Sequence, residues 1–126
     1  MKNSKVASTK IVERFICQVL SRKKDFVEAL EILGDIYTRS GDIESALDID
    51  TILTKLQPLN PVHYYNLACD YALVGKHQKA IFYLKIAVTL GFSDFKHLKK
   101  DPDLAKLRTD PQYEKVIKGI CTRRIK

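Results

Sequence analysis

The chain repeats its own pattern at an interval of 34 residues. Residues 27–60 align with residues 61–94 without a gap. The positions that agree in size and chemistry are Leu33 with Leu67, Gly34 with Ala68, Tyr37 with Tyr71, Gly41 with Gly75, Ala46 with Ala80, and Leu47 with Ile81. A repeat of this length is typical of units that stack on one another, because one unit alone cannot bury its apolar face. We therefore expect an array of such units.

The first copy has the pattern of two helices joined by a glycine turn. Asp25 and Glu28 are spaced as a capping box, and Gly41 is placed to end the helix in a left-handed conformation. Asp42 is placed to cap a second helix that ends near Leu56. The apolar residues between these signals have helical spacing, which predicts an αα-hairpin.

The second copy carries the same signals in the same order. Asn60 precedes Pro61, a capping residue followed by the residue best suited to the first helical turn. Gly75 and Gly91 mark the ends of the two helices. The predicted fold class is all-α, a solenoid of two αα-hairpins with additional helices at both ends.

The two copies resemble the tetratricopeptide-repeat family, whose pattern places Leu-Gly and Tyr on the first helix and Ala and Pro later. The matching residues are Leu30, Leu33, Gly34, Tyr37, Ala46 and Pro58 in the first copy and Tyr64, Leu67, Ala68, Tyr71, Ala80 and Ala87 in the second. Asp50 and Phe92 depart from the pattern, because the family has an aromatic residue and often a proline at these positions. The resemblance implies that the first helices of the repeats line a concave groove that holds a peptide.

The remaining segments complete a single domain. Its predicted parts are a basic N-terminal segment and capping helix over 1–26, the repeats over 27–60 and 61–94, and a C-terminal cap with a basic tail over 95–126. A helical apolar stripe between Thr9 and Arg22 predicts the N-terminal cap. Its members are Ile11, Val12, Phe15, Ile16, Val19 and Leu20.

Two Asp-Pro steps organise the C-terminal cap. Each pairs a capping residue with a first-turn proline, at Asp101 and at Asp110. Short helices are expected near 94–100 and 102–108, and a final helix from Pro111 to about Cys121. This segment is similar to the element that closes many bacterial arrays of the family. Its expected buried residues are Phe95, Leu98, Leu104, Leu107, Tyr113, Val116 and Ile117.

The net charge of +7 is unevenly distributed. The segments 1–26, 27–60, 61–94 and 95–126 carry net charges of +5, −5, +1 and +6, in that order. The first repeat is therefore acidic between basic ends, so two surfaces of opposite sign are expected.

The three cysteines, Cys17, Cys69 and Cys121, are far apart and form no C-x-x-C pair. This spacing predicts neither a disulfide framework nor a zinc site, and it fits a reducing, cytoplasmic setting. An N-terminal transit peptide is the alternative. No stretch approaches the roughly 20 apolar residues of a membrane span, and no membrane partner is expected.

A candidate groove follows from the helical wheel of the first repeat. Glu28, Glu31 and Asp35 share one side of the first helix with Thr38, opposite the apolar stripe. Three carboxylates on one face would attract a basic peptide. The alternative is a solvated face on which Asp35 pairs with Arg39.

The equivalent face of the second repeat is apolar: Val62, Tyr65, Cys69, Ala72 and Leu73, with Asn66 beside them. Covering of this face by the C-terminal segment is the preferred interpretation, because large exposed apolar patches are rare on monomers. The alternative is an anchor for a hydrophobic partner or a homodimer contact. The complete predicted groove is Glu28, Glu31, Asp35, Thr38, Arg39, Tyr65, Asn66 and Cys69.

The sequence predicts a non-catalytic adaptor that binds a protein or peptide partner and needs no cofactor or metal. His63, His77 and His97 have no partner residues nearby in sequence that suggest a catalytic site, and no glycine-rich phosphate loop is present. Binding of nucleic acid or another polyanion is the alternative function. It would use the basic segments at both ends, including Lys115, Lys118, Arg123, Arg124 and Lys126. The choice between monomer and homodimer stays open.

Overall fold

The computed structural model describes residues 10–18 and 26–125, with side chains through residue 118. Regular structure in these ranges is helical, without strands, and sequential helices pack as antiparallel pairs, which confirms the predicted fold class. The helices are α1 (10–18), α2 (Val27–Ser40), α3 (Ile43–Leu56), α4 (Pro61–Leu73), α5 (His77–Thr89), α6 (Phe95–Lys100) and α7 (Pro111–Ile125). None of them is long and apolar enough to cross a bilayer.

The described chain divides into two compact units, one ending at Pro58 and the other beginning at Leu59. The first contains α1, α2 and α3, and the second contains α4 to α7. Each unit is therefore built around one of the predicted hairpins.

In the first unit, the turn between α2 and α3 forms as predicted. Gly41 has a φ of 84° and donates its N–H to the carbonyl of Thr38, while Asp42 donates its N–H to the carbonyl of Tyr37. These two bonds satisfy carbonyls that a helix end leaves without partners. The Asp42 carboxylate then accepts the N–H of Ser45 at 3.3 Å and caps α3.

Helices α2 and α3 approach closely at Gly34. A Cβ atom built on this glycine would lie 3.3 Å from Ile49 Cγ2 and 3.4 Å from Asp50 Oδ1. Asp50, one of the two residues that depart from the family pattern, is buried beside the glycine. The small residue thus leaves room for the side chains of the facing helix.

The predicted start of α2 is wrong. Phe26 is the N-cap residue and makes no side-chain capping bond, and its carbonyl accepts the N–H of Leu30. Because Phe26 holds that position, Glu28 is the second helical residue and cannot close a capping box, which requires the third. Asp25 lies outside the described residues.

The N-terminal stripe is buried only in part. Ile16 is 6% exposed and packs with Ala29 and Leu33, whereas Phe15 is 62% exposed. Ile11 and Val12 are exposed as well, because only the Ile16 side of α1 belongs to the packed cluster. Val19 and Leu20 of the predicted stripe lie outside the described residues.

In the second unit, α4 and α5 repeat the construction of the first hairpin. Asn60 accepts the N–H of Val62 at 3.0 Å, and Pro61 is the first helical residue. Gly75 and Gly91 have φ values of 82° and 117°. Both predicted glycine stops are confirmed.

The C-terminal cap differs from its prediction between residues 102 and 108. Instead of one helix, two 3₁₀ turns form, Pro102–Leu104 and Leu107–Thr109. The 3₁₀ geometry places residues three apart on one side, and Leu104 and Leu107 are both fully buried. Helix α6 matches its prediction, with Asp94 accepting the N–H of His97 at 3.0 Å.

Of the expected buried residues in the cap, five are buried: Leu98, Leu104, Leu107, Tyr113 and Ile117. Phe95 and Val116 are half-buried. Helix α7 continues to Ile125, past its predicted end.

We expect Gly34→Leu to lower the free energy of unfolding by about 2 kcal/mol, because its side chain must displace Ile49 or Asp50. Gly34→Ala is the matched control. Its single methyl would lie 3.3 Å from Ile49 Cγ2, so a small shift of that side chain offsets part of the roughly 0.5–1 kcal/mol of helix propensity that alanine regains. Urea unfolding followed by circular dichroism measures both. A leucine variant as stable as the parent would contradict the close approach of α2 and α3.

Candidate functional site

Helix α2 presents an acidic face. We give this name to Glu28, Glu31 and Asp35, whose side chains are all exposed. Leu30, Leu33 and Gly34 on the opposite side are buried, so packing of the hairpin fixes which way the carboxylates point. The structure therefore places the three predicted acidic residues on one accessible side of a helix.

Thr38 and Arg39 extend this side of α2. The Thr38 hydroxyl donates to the carbonyl of Gly34 at 3.0 Å, so it is already engaged within the helix. Arg39 Nε lies 3.1 Å from Asp35 Oδ2, with side chains 79% and 56% exposed. An exposed pair of this kind contributes about 0.2–1 kcal/mol. The Asp35–Arg39 pair that belongs to the alternative interpretation, a solvated face, is present.

The corresponding face of α4 is largely covered by the chain itself. Tyr65, Cys69 and Ala72 are buried in one cluster with residues of the C-terminal cap, such as Leu98 and Leu104. This confirms the preferred interpretation of the apolar face. Val62, Leu73 and Asn66 stay exposed at its margins.

The aromatic ring of Phe92 covers Tyr65 directly. The two ring centroids are 4.2 Å apart and the ring planes differ by 6°. Phe92 stands where the resembled family often has proline, and its stacking on Tyr65 gives that departure a packing role. Tyr65 therefore cannot line an open groove while this ring is in place.

The Asp101 carboxylate lies at the centre of the covered face. Its Oδ2 accepts the Tyr65 hydroxyl at 2.5 Å, and it is approached by Cys69 Sγ at 3.8 Å and His97 Nε2 at 3.3 Å. Its Oδ1 accepts the N–H of Asp103 at 3.0 Å. A buried carboxylate is stable only with such donors around it. We call these five residues the Asp101 cluster.

Arg108 completes the connection within the cap. One of its terminal nitrogens donates to the carbonyl of Leu98 at 2.8 Å and to that of Asp101 at 2.6 Å. The guanidinium thus satisfies two carbonyls at the junction between α6 and the first 3₁₀ turn. Arg108 links parts of the cap to one another, and the contacts of Tyr65 and Cys69 with Asp101 link the cap to α4.

The pKa values of three groups in the Asp101 cluster, Tyr65, Cys69 and Asp103, are raised. Burial is the main cause that raises the pKa of the Tyr65 phenol, and contacts with Cys69 and Asp101 raise it further. Burial, followed by the nearby Asp101 charge, raises the pKa of the Cys69 thiol. The pKa of Asp103 is raised by burial and by Asp101. Tyr65 and Cys69 consequently remain protonated donors, and Cys69 lacks the thiolate character of a nucleophile.

Potential metal ligands also meet at this point. Within the described residues, ligand atoms of Cys69, Asp101 and Asp103 all lie within 4.8 Å of one another. A cation would have to displace the Tyr65 and Cys69 donors from the carboxylate and remove the thiol proton. The arrangement works as a hydrogen-bond cluster that holds the cap.

The Asp101 cluster was not predicted from the sequence. The Asp101-Pro102 step indicated a helix cap, and Asp101 does accept the N–H of Asp103, but its contact with Tyr65 joins residues 36 positions apart. A signal was present nonetheless. Tyr65 and Cys69 lie on a face expected to be covered, and buried polar hydrogens require an acceptor.

Comparison with known proteins identifies a distant homologue. The chain is similar to a protein of Arabidopsis thaliana that is described as chloroplastic, with 32% identity over 104 residues. The match covers 80% of this chain and 30% of that protein, so the chain spans less than a third of its relative. No family model matches the sequence. The relative's description assigns that protein to the chloroplast, which differs from the cytoplasmic location expected for this chain.

We expect Tyr65→Phe to lower the free energy of unfolding by about 1.5–3 kcal/mol, because Asp101 loses its shortest hydrogen bond inside the protein. Tyr83→Phe is the control, since this half-buried ring stacks on Tyr71 and keeps that stacking as phenylalanine. Both are measured by urea unfolding. Equal and small effects of the two substitutions would contradict the role assigned to the Asp101 cluster.

We expect Cys69 to resist alkylation by iodoacetamide under native conditions, while the exposed Cys17 reacts. Burial and the nearby Asp101 both disfavour the reactive thiolate of Cys69. Peptide mass spectrometry reports each cysteine separately, and labelling in urea provides the control in which both should react. Equal native labelling rates would show that the cap does not protect Cys69.

Proposed function

We propose that the chain is a non-catalytic protein-interaction module of the tetratricopeptide-repeat type. Support comes from two hairpins in a 34-residue register, and in each of them a glycine with positive φ follows the first helix. The small residues Gly34 and Ala68 occupy equivalent positions, and both are buried. Similarity to a relative over most of the chain adds to this support.

The observation that carries the proposal is the exposed acidic face of α2. In the resembled family, the first helix of each repeat faces the bound peptide, and α2 is such a helix. Its carboxylates point away from the buried core and are accessible to a partner. The partner we propose is a protein or peptide with basic residues, since opposite charges speed encounter and select against acidic competitors.

The residues of the predicted groove contribute unequally to the proposed site. Tyr65 and Cys69 are buried beneath the C-terminal cap, so binding would rest mainly on α2. Asn66 on α4 is exposed. In this proposal α2 supplies the recognition, and the covered face of α4 takes no part.

Polyanion binding remains the second candidate, because one observation favours it. On α6, Lys96, Lys99 and Lys100 are exposed, while the neighbouring Asp101 is buried. The cap surface is therefore more basic than its sequence composition indicates. The side chains of Arg123, Arg124 and Lys126 lie outside the described residues.

The extent of the domain and the location of the chain belong to the same proposal. We propose that residues 1–126 fold as a single domain in the cytoplasm. A single cooperative unfolding transition would support one domain, and two separate transitions would contradict it. Fractionation of the source cells tests the location, with recovery in an organelle as the contrary outcome.

The first experiment is affinity capture from the native lysate with the parent chain and with Glu31→Lys, Asp35→Lys. We expect a nuclease-resistant protein partner that the parent retains and this variant loses by at least about tenfold, since the variant reverses two of three charges on the acidic face. A fluorescent peptide from the recovered partner then gives dissociation constants at several salt concentrations. The affinity should fall as salt rises.

The matched control is Glu44→Lys, Asp48→Lys, which makes the same charge change at exposed positions of α3. This variant should keep the partner. If both variants lose the partner equally, the change in net charge explains the loss. If the α2 variant binds the partner fully, the acidic face is not the binding site. Recovery of nuclease-sensitive material alone would favour the polyanion function.

A further inference from the structure

The first hairpin, α2 with α3, exposes mainly negative charge. Its exposed basic residues are Arg39 and Lys55, and Asp50 is buried and adds nothing to the surface. Its exposed acidic residues are Glu28, Glu31, Asp35, Asp42, Glu44 and Asp48. The exposed bases Lys10 and Arg14 belong to α1 and not to the hairpin. The exterior of the first hairpin is therefore acidic.

The second unit has the opposite character. Its exposed basic residues are Lys76, Lys79, Lys85, Lys96, Lys99, Lys100, Lys106, Lys115 and Lys118. Over the same residues, the exposed acids are Asp94 and Glu114, and Asp103 and Asp110 are half-buried. Asp70 and Asp101 are buried, so folding withdraws acidic groups from the surface and leaves the lysines outside.

The most concentrated basic group lies on α6. Lys96, Lys99 and Lys100 are at positions i, i+3 and i+4, which share one side of a helix. We call these residues the cap lysines. Leu98, between them, is fully buried against the second hairpin, so packing holds this helix with its lysines outward.

We propose that a second copy of this chain docks its cap lysines on the acidic face of α2, giving head-to-tail self-association. The inference rests on the proposed use of the acidic face and names one occupant for it. Three carboxylates spaced along one helix side meet three ammonium groups spaced along another. The complementary charges lie on different helices of one molecule, α2 and α6. Each surface repels the same surface of a second copy.

This repulsion selects the symmetry of the complex. A two-fold dimer in which each surface meets its own copy would bring like charges together, whereas contact of the acidic face with the cap lysines of another copy pairs opposite charges. If both pairs of surfaces engage at once, two copies close as a reciprocal dimer. A head-to-tail contact leaves one acidic and one basic surface unused, so a further copy can add. The association is therefore open-ended unless the ring closes.

Salt sensitivity is the expected signature of this contact. The charges involved are exposed, and screening acts over about 10 Å at 0.1 M ionic strength and about 3 Å at 1 M. The apolar side chains exposed on α1, such as Phe15, would instead give association that persists in high salt. The salt response separates these two kinds of contact.

The test uses sedimentation velocity of the purified, nuclease-treated chain at low and high ionic strength. The parent should form species larger than a monomer at low salt and become monomeric at high salt. Glu31→Lys, Asp35→Lys alone and Lys96→Glu, Lys100→Glu alone should each stay monomeric. An equimolar mixture of the two variants should associate again, because the mixture restores one native pair of surfaces.

A change in net charge cannot explain renewed association in the mixture of the two variants. The two variants carry net charges of +11 and +3, four above and four below the +7 of the parent, so both remain positive. The matched controls are Glu44→Lys, Asp48→Lys on α3 and Lys76→Glu, Lys85→Glu, which alter equally exposed charges of the two units. Both controls should associate as the parent does.

A parent chain that is monomeric at every salt concentration overturns the inference, as does a mixture that stays monomeric. Circular dichroism of each variant checks folding, and Glu31→Gln, Asp35→Asn replaces the α2 variant where charge reversal unfolds it. If partner capture depends on the acidic face but the parent never self-associates, the proposed function stands alone. If the variants associate on mixing but no basic partner is captured, the acidic face serves self-association.

Discussion

The burial of one carboxylate organises the second half of the chain. Asp101 reaches α4 and accepts the Tyr65 hydroxyl, while Arg108 holds the backbone carbonyl of Asp101 from the other side. A charged group taken out of water is tolerated only where donors replace the lost hydration. The cap must therefore sit where those donors are, and its leucines fill the adjoining core. Because these donors lie on α4, the face of α4 that carries Tyr65 and Cys69 is the one that the cap covers.

Local signals were readable from the sequence because they involve residues close together in the chain. The stops at Gly41 and Gly75 and the caps at Asp42 and Asn60 depend on backbone geometry within a few positions. The incorrect predictions concerned positions where neighbouring residues competed for one role or where contacts between helices decided the outcome. Phe26 displaced the expected capping box, and the burial of α1 residues depended on which side met α2.

The candidate site likewise has a part that local sequence predicted and a part that depended on residues far along the chain. Helical spacing sufficed to place Glu28, Glu31 and Asp35 on an accessible side, because the opposite side had to be the core. The fate of Tyr65 and Cys69 depended on a segment more than 30 residues later. A hairpin predicts its own exposed face, but only the remainder of the chain determines whether that face stays accessible.

The glycine turns also bear on how such a chain can change its length. Each helix between a cap and a positive-φ glycine has a fixed number of residues, and one inserted residue rotates everything after it by about 100° around the helix axis. An insertion between Gly34 and Tyr37 would move Tyr37 away from the side it shares with Leu33. We therefore expect the helices to tolerate substitutions better than insertions, and the connections and the ends to accept changes of length.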